Sequence, residues 1–485
     1  MTAKFTCDLS KAGRPFTHFW EHTVGSGHAL LALRADWQRQ LHRCHDELGF
    51  KHVRFHGLLS DDVGTFVIEQ NKPVYSFFNA DQIVDFLLSI GMKPFVELSF
   101  MPTALASGAD AVFHYRGDIT PPRDYKAWAT LIGRLVQHWI DRYGVREVRR
   151  WFFEVWNEPN LKAFWTGTRE DYFKFYCITA QTIKAVDSLI RVGGPATAKN
   201  EWIKEFLEFC EQSDVPVDFI STHHYPTDAF GKPGDDTITQ LAVSERSTLR
   251  DQAREVRRQV RSRPLYYTEW NTSSNPHDEL HDEPYAAAFI VKTIMEASGL
   301  VDAYSFWTFS DIFEENYFPS QAFYGGFGLL DLYNIPKPSY RAFQLLHSLG
   351  NEIVRVEGRH HTVDAWCIRD QERVVVVLTN WERPRHHIEP ETIEIVLHSR
   401  TKARSAQMRR IDERHANAHR VWRRMGRPQY LNQRQVDKLN AASALVKEDC
   451  RISHQDERIR LQMTAAPQSV TFIEMDGLAR LPAQH

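Results

Sequence analysis

Along roughly the first 350 positions, apolar residues follow two alternating rhythms, and that alternation is the sequence habit of a βα-repeat fold. One rhythm is a short run dense in aromatic and β-branched residues. It recurs as THFWEHT (17–23), HVRFHG (52–57), KPFVELSF (93–100), RRWFFEVWNEP (149–159), RVGGPA (191–196), DFISTHHYP (218–226), LYYTEWN (265–271) and AYSFWTFSD (303–311). The other is the helical spacing of DWQRQLHRCHDELG (36–49), ADQIVDFLLSIG (80–91), DYKAWATLIGRLVQHWIDRYG (124–144) and EPYAAAFIVKTIMEASG (283–299). Eight strand–helix units predict an α/β chain whose main body is a (β/α)8 TIM barrel. Chemistry in such a barrel gathers at the C-terminal strand ends, where His56, Glu97, Glu158, His223, Tyr225, Glu269, Trp307 and Asp311 are expected to converge.

The run WFFEVWNEPN is apolar on both faces, as in a strand covered by helices, and it delivers Asn157 and Glu158 to its end, where Pro159 stops the ladder. Strand parity assigns Glu154, Trp156 and Glu158 to one face and Phe153, Val155 and Asn157 to the other. LYYTEWN likewise carries Glu269 near its end. Two glutamates at the ends of two buried strands predict a paired-carboxylate enzyme. Strand spacing and tilt put their carboxyl groups about 6 Å apart, between the retaining and inverting ranges, so spacing leaves the stereochemistry open. Glu154 lies deeper and is expected to pair with Arg54, Glu97 to support the site from behind, and His224 to be structural, because it faces away from His223.

Past the barrel the pattern changes to short β runs, RVVVVLTNW (373–381), TIEIVLHS (392–399) and SVTFIEMD (469–476), which predict a β-sandwich. An arginine-rich helical excursion at about 404–447 interrupts them. Asp412, Glu413, Glu448 and Asp449 intersperse acid there, so it reads as a solvated arm rather than a nucleic-acid binder.

A chain of 485 residues exceeds what one core supports, consistent with a large domain plus a smaller one. Its net charge of −3 gives no pull toward nucleic acid or an anionic membrane. Thirteen tryptophans supply rings for sugar platforms as well as for the core. The six cysteines are scattered without a CxxC pair and read as reduced thiols. His18 and His22 frame an HxxEH string in strand-like surroundings, and His42, Cys44 and His45 sit in an ordinary amphipathic helix, so neither a metal nor a cofactor is expected. The chain opens without a signal-peptide core, and no run approaches the ~18 apolar residues of a membrane span, which predicts a cytoplasmic protein. The one Asn-X-Ser/Thr sequon, at Asn271, adjoins Glu269, where a glycan would obstruct the site.

These segments carry a resemblance. WFFEVWNEPN resembles the active-site signature of glycoside hydrolase family 39, and YYTEWNTS is similar to its nucleophile segment. FWEHTVGSGHALLALR, RFHG, FMPTALASG, FWTFSDIFEE and RIDERHANAHRVWRRMGRPQYL extend the likeness along the chain, closer to the bacterial β-xylosidase branch than to the α-L-iduronidases. The resemblance implies a barrel over 14–347 and an accessory sandwich from 348–485 completed by 1–13. It also implies an exo-acting, retaining β-1,4-xylosidase that takes xylo-oligosaccharides, with Glu158 as acid/base and Glu269 as nucleophile. Asn157 matches the residue that bonds the sugar 2-hydroxyl. His56, His223, Tyr225, Glu314 and Glu315 match hydroxyl-binding positions, and Phe113, Phe164 and Trp307 match aromatic walls. In one departure, Ser273 and Ser274 stand where the family often has a tyrosine. A monomer is favoured, because the chain ends soon after its last predicted strand.

Overall fold

The computed structural model describes residues 2–228, 234–315 and 317–478. Eight parallel strands close into a barrel in chain order: Thr23–His28, His52–His56, Lys93–Glu97, Phe152–Glu154, Arg191–Thr197, Phe219–His223, Leu265–Trp270 and Ala303–Phe306. The eighth returns to the first through Phe306 and Val24.

Parity along these strands builds the site. Phe95, Phe152, Phe219, Tyr266 and Ala303 point inward and pack into an apolar floor. Two residues further along, on the same inward face, come Glu97, Glu154, Ser221, Thr268 and Ser305, every one of them buried. Arg54 joins this second layer from the second strand. One step of the pleat therefore carries the interior from apolar to charged. The outward-facing residues between them, such as Val96, Phe153, Ile220, Tyr267 and Tyr304, belong to the main core beneath the surrounding helices.

Two strand expectations need correction. The first barrel strand is Thr23–His28, whereas Phe19–Glu21, inside the predicted THFWEHT, forms a single 3-10 turn. Packing explains the glycines of TVGSGH: a Cβ on Gly25 would lie 2.5 Å from Cε3 of Trp307, and one on Gly27 would lie 2.7 Å from the Phe313 carbonyl oxygen. The fourth strand stops at Glu154, before Pro159 is reached. Trp156 then takes a left-handed φ of 74° and turns outward against Trp165, Phe175 and Phe100, so the parity drawn through Glu158 fails.

The predicted helices form, as Ala35–Leu48, Phe78–Ser89, Tyr125–Tyr143 and Pro284–Ala297. Asp124 caps the third by accepting from the backbone N–H groups of Lys126 and Ala127.

The β runs after the barrel make two sheets. Ala3–Asp8 pairs in parallel with Glu391–His398, which pairs with Arg458–Ala465. The other sheet holds Val363–Asp370, Arg373–Asn380, Ser469–Asp476 and Ser405–Ile411. Val374, Val376 and Leu378 face the first sheet, while Val375 and Val377 join the barrel's core. A central strand covered on both sides explains the unbroken apolar run RVVVVL.

The excursion also differs from expectation. It begins as the strand Ser405–Ile411, and its helices are confined to Ala418–Arg424 and Gln433–Ala442. It is not a free arm, because Ala418, Trp422 and Leu439 bury against Ala322, Phe323 and Ile335 of the loop after the eighth barrel strand.

Candidate active site

A pocket of about 300 Å³ opens over the charged layer, lined among others by His56, Phe113, Asn157, Glu158, Phe164, Tyr225, Glu269, Trp307 and Glu315. Arg54 is the hub beneath it. Its Nε donates to Glu154 Oε2 at 2.6 Å, Nη1 to Glu269 Oε1 at 2.8 Å and Nη2 to Asn157 Oδ1 at 2.9 Å. Nη2 also lies 2.8 Å from Glu97 Oε2. The Arg54–Glu154 pair read from the sequence is present, and the same guanidinium reaches three further acceptors.

Asn157 and Glu158 enter the pocket because of the left-handed turn at Trp156. Glu158 has a φ of 42°, and its N–H donates to the Ala196 carbonyl at 2.8 Å. Residues held in this backbone region concentrate at functional sites. At the seventh strand a β-bulge does comparable work. His223 pairs with Glu269 although Thr222 pairs with Tyr267, so Thr268 is the extra residue and both it and Glu269 reach the interior.

Glu269 accepts from Tyr225 Oη at 2.9 Å as well as from Arg54. His223 Nδ1 is 3.0 Å from Glu158 Oε1 and 3.6 Å from Glu269 Oε2. One carboxylate oxygen of each glutamate and that nitrogen all lie within 4.8 Å of one another. Burial pushes the Glu158 carboxyl up to about 7, against the opposing pull of His56 and Arg54. Glu315 rises to about 8, again mainly through burial. Burial lowers His223 to about 4, which leaves it neutral at pH 7. His56 is the reverse case: burial would lower it, but Glu97, 2.7 Å from Nδ1, raises it overall. The pair of carboxyl groups is therefore differentiated, one matched to a cation and the other inclined to hold its proton.

Glu315 Oε1 is buried and without a hydrogen-bond partner among the described residues; His56 Nε2 stands 3.8 Å away, too far for one. Glu314 departs from expectation. With a φ of 48° it sends its carboxylate out of the pocket to the Arg34 guanidinium, so of the two adjacent glutamates only Glu315 lines the cavity. Asp311 does not converge on the pocket either, because Lys337 Nζ holds it at 2.7 Å below the loop. His224 bonds Tyr304 Oη at 2.8 Å on the outer face, as its parity implied.

Several lining residues escaped the sequence reading. Asp228 and Lys199 come from strand-end loops, and Tyr317 from the long loop after the eighth strand, which has no periodicity to place it. Ser273 donates to Asp278 at 2.6 Å, and Tyr317 lines the wall beside Ser274 and Pro276. The histidines of the HxxEH string diverge: His18 bonds Glu21 at 2.6 Å, while His22 stacks on His52 under the floor. His45 bonds the Phe50 carbonyl and His42 lies 3.3 Å from Asp46, so that set does not converge.

Residues 3–459 match glycosyl hydrolases family 39. The chain belongs to that family. It is 50% identical over 450 residues to a beta-xylosidase of Caldicellulosiruptor saccharolyticus, covering 92% of each chain. It is 38% identical over 480 residues to the beta-xylosidase of Geobacillus stearothermophilus, covering 96% of this chain and 94% of that one. Among solved structures, a monomeric beta-xylosidase from Caulobacter crescentus CB15 superposes with a TM-score of 0.87 at 35% identity, over 98% of this chain and 100% of the other. No helix among the described residues of this family 39 hydrolase is long and apolar enough to cross a membrane.

Proposed function

We propose that the protein is a retaining exo-β-1,4-xylosidase that removes xylose from the non-reducing end of xylo-oligosaccharides. The observation that carries this reading is the carboxyl pair: oxygens of Glu158 and Glu269 within 4.8 Å, close to the ~5–5.5 Å of retaining enzymes and short of the ~6.5–9.5 Å that inversion needs to admit a water. The names of relatives similar over nearly the whole chain support the choice of sugar.

In this mechanism Glu269, ion-paired to Arg54, attacks the anomeric carbon, while Glu158 gives its proton to the glycosidic oxygen. A glycosyl ester forms on Glu269 and the leaving sugar departs as an alcohol. Esterification removes a negative charge beside Glu158, whose affinity for a proton then falls, and its carboxylate takes a proton from the water that opens the ester. Asn157, His56, Tyr225 and Glu315 bind the sugar hydroxyls, and Phe113, Phe164 and Trp307 form the walls, while His223 is held between Glu158 and Thr268 beneath them. A pocket of about 300 Å³, at the small end for ligand sites, suits removal of one terminal sugar at a time.

We read residues 14–347 as the catalytic domain and 1–13 with 348–485 as the accessory one. The monomeric relative from Caulobacter crescentus favours a monomer. We read the protein as cytoplasmic because the sequon at Asn271 adjoins Glu269, where a glycan would obstruct the pocket.

The test compares p-nitrophenyl β-xyloside, arabinoside, glucoside and iduronide, with the anomer of the first-formed product read by NMR. Retained xylose from the xyloside is expected. Glu269→Ala is expected to abolish turnover. Glu158→Ala is expected to keep the first step on activated aryl xylosides and to yield β-xylosyl azide with added azide; an inverted product overturns the assignment of Glu269.

A further inference from the structure

Behind Glu158 runs a chain of hydrogen bonds whose directions are fixed from its far end. Glu154 accepts from Arg54 Nε through Oε2, and through Oε1 it accepts the Thr268 hydroxyl proton at 2.8 Å. A hydroxyl has one proton, so toward His223 Nε2, 3.1 Å away, Thr268 Oγ1 can only accept. His223 is neutral at pH 7, and a neutral imidazole carries one N–H. With that N–H committed to Thr268, Nδ1 presents a lone pair, and the group 3.0 Å from it is Glu158 Oε1. Two acceptors do not share a hydrogen bond, so the carboxyl must be the donor.

We infer that Thr268, anchored on the Arg54–Glu154 pair, is a positioning residue that fixes the Nε2–H tautomer of His223 and so keeps Glu158 in its proton-bearing form. This deepens the reading of Glu158 as acid/base and rests on it. It goes beyond the pairing of carboxyl groups, because it assigns the arming of the acid to a threonine whose hydroxyl bonds neither glutamate of the pair. The carboxyl has one proton, so in the transfer step Glu158 breaks its bond to Nδ1 and gives that proton to the leaving oxygen, after which its carboxylate faces the Nδ1 lone pair. That repulsion drives it to recover a proton from the incoming water, so one fixed tautomer serves both steps.

The other charges around these groups are accounted for. His56, Arg54 and Lys199 favour the Glu158 carboxylate, and Glu97, Glu269, Glu315 and Asp228 oppose it. His223 is faced by Glu269, Glu154, Glu97 and Arg54 within the barrel and by His224 outside it. None of these groups bonds His223 Nε2 among the described residues, so the tautomer depends on Thr268.

The experiment compares the pH dependence of kcat/KM in Thr268→Val, which keeps the shape and loses the hydroxyl, and Thr268→Ser, which keeps it. Without an acceptor at Nε2, His223 moves its proton to Nδ1 and donates to the Glu158 carboxylate. That favours ionised Glu158, so the alkaline limb moves to lower pH by on the order of one unit. At pH 7 xylobiose hydrolysis falls about fivefold, and hydrolysis of dinitrophenyl β-xyloside, whose leaving group departs unprotonated, falls less. Thr268→Ser restores the profile. A Thr268→Val profile that matches the parent overturns the proposal. Histidine ¹⁵N NMR of the unmodified protein decides it independently of any variant: Nε2–H on His223 is expected, and Nδ1–H refutes it. That spectrum still answers if the protein turns over no xyloside, in which case the functional reading fails separately.

Discussion

Arg54 Nη1 lies 2.8 Å from Glu269 Oε1, and the same guanidinium, wholly buried, is the shared countercharge of Glu97 and Glu154. Burial alone would depress its proton affinity, but the three carboxylates more than reverse that. Arg54→Met is expected to leave them unmatched in the barrel interior, at a loss of about 3–5 kcal/mol, and to abolish turnover. Thermal unfolding at pH 7 checks it; a variant as stable as the parent would show that the network contributes little.

Glu315 and its neighbour separate by direction. Glu315 Oε1 is buried in the pocket without a hydrogen-bond partner among the described residues, whereas Glu314 is held by Arg34. Glu315→Gln is expected to lower kcat/KM for p-nitrophenyl β-xyloside about a hundredfold. For Glu314→Gln the expected loss is below about threefold, since a partly exposed ion pair contributes little. Equal losses in the two variants would mean that Glu314 swings inward when sugar binds.

The pH dependence follows from burial of Glu158, which pushes its carboxyl from 4.5 up to about 7. The acid form is therefore lost as pH rises through 7, and kcat/KM is expected to fall tenfold per unit beyond it. Stability follows the same sign. The folded state holds this proton more tightly than the unfolded chain does, so the contribution is complete below about 4.5 and disappears as pH rises through about 7. Glu158→Gln is accordingly expected to gain up to about 3 kcal/mol over the parent at pH 8 and little at pH 4, read by denaturant unfolding.

Gly25 is where the first strand meets a pocket wall. A methyl group there would meet Trp307 Cε3 at 2.5 Å and the Phe306 carbonyl oxygen at 3.1 Å. Gly25→Ala is expected to tilt the Trp307 ring into the cavity, raising KM for the xyloside severalfold and costing about 1–3 kcal/mol in thermal unfolding. An unchanged KM would place the ring outside the sugar's reach.

Much of this molecule could be read from its sequence, because burial imposes a period. SVTFIEMD occupies 469–476 as expected, and the helix ending at Tyr143 begins one residue after its Asp124 cap. Glu158 and Glu269 were legible because each carboxylate closes an apolar run. What escaped was set by local breaks in periodicity. The left-handed turn at Trp156 decides which way Asn157 and Glu158 face, and the bulge at Thr268 brings two consecutive side chains inward. Neither has a propensity signature. The glycines of TVGSGH disguised a strand because their purpose is to admit Trp307 and Phe313 from distant parts of the chain. The arginine-rich segment was misjudged as solvated because its apolar residues, Trp422 and Leu439, find their partners on a loop about a hundred positions earlier.

The pairing of Ala3–Asp8 with Glu391–His398 sets an order of events during synthesis. Both sheet partners of Ala3–Asp8, Val356–Glu357 and Glu391–His398, follow all eight barrel strands in the chain, so the barrel can close while that strand waits. Its docking is a late, long-range closure that ties the beginning of the chain across the finished barrel to its far end. Clipping the opening segment would therefore be felt first as a loosened seam in the distant sheet, before any effect reached Glu158 and Glu269.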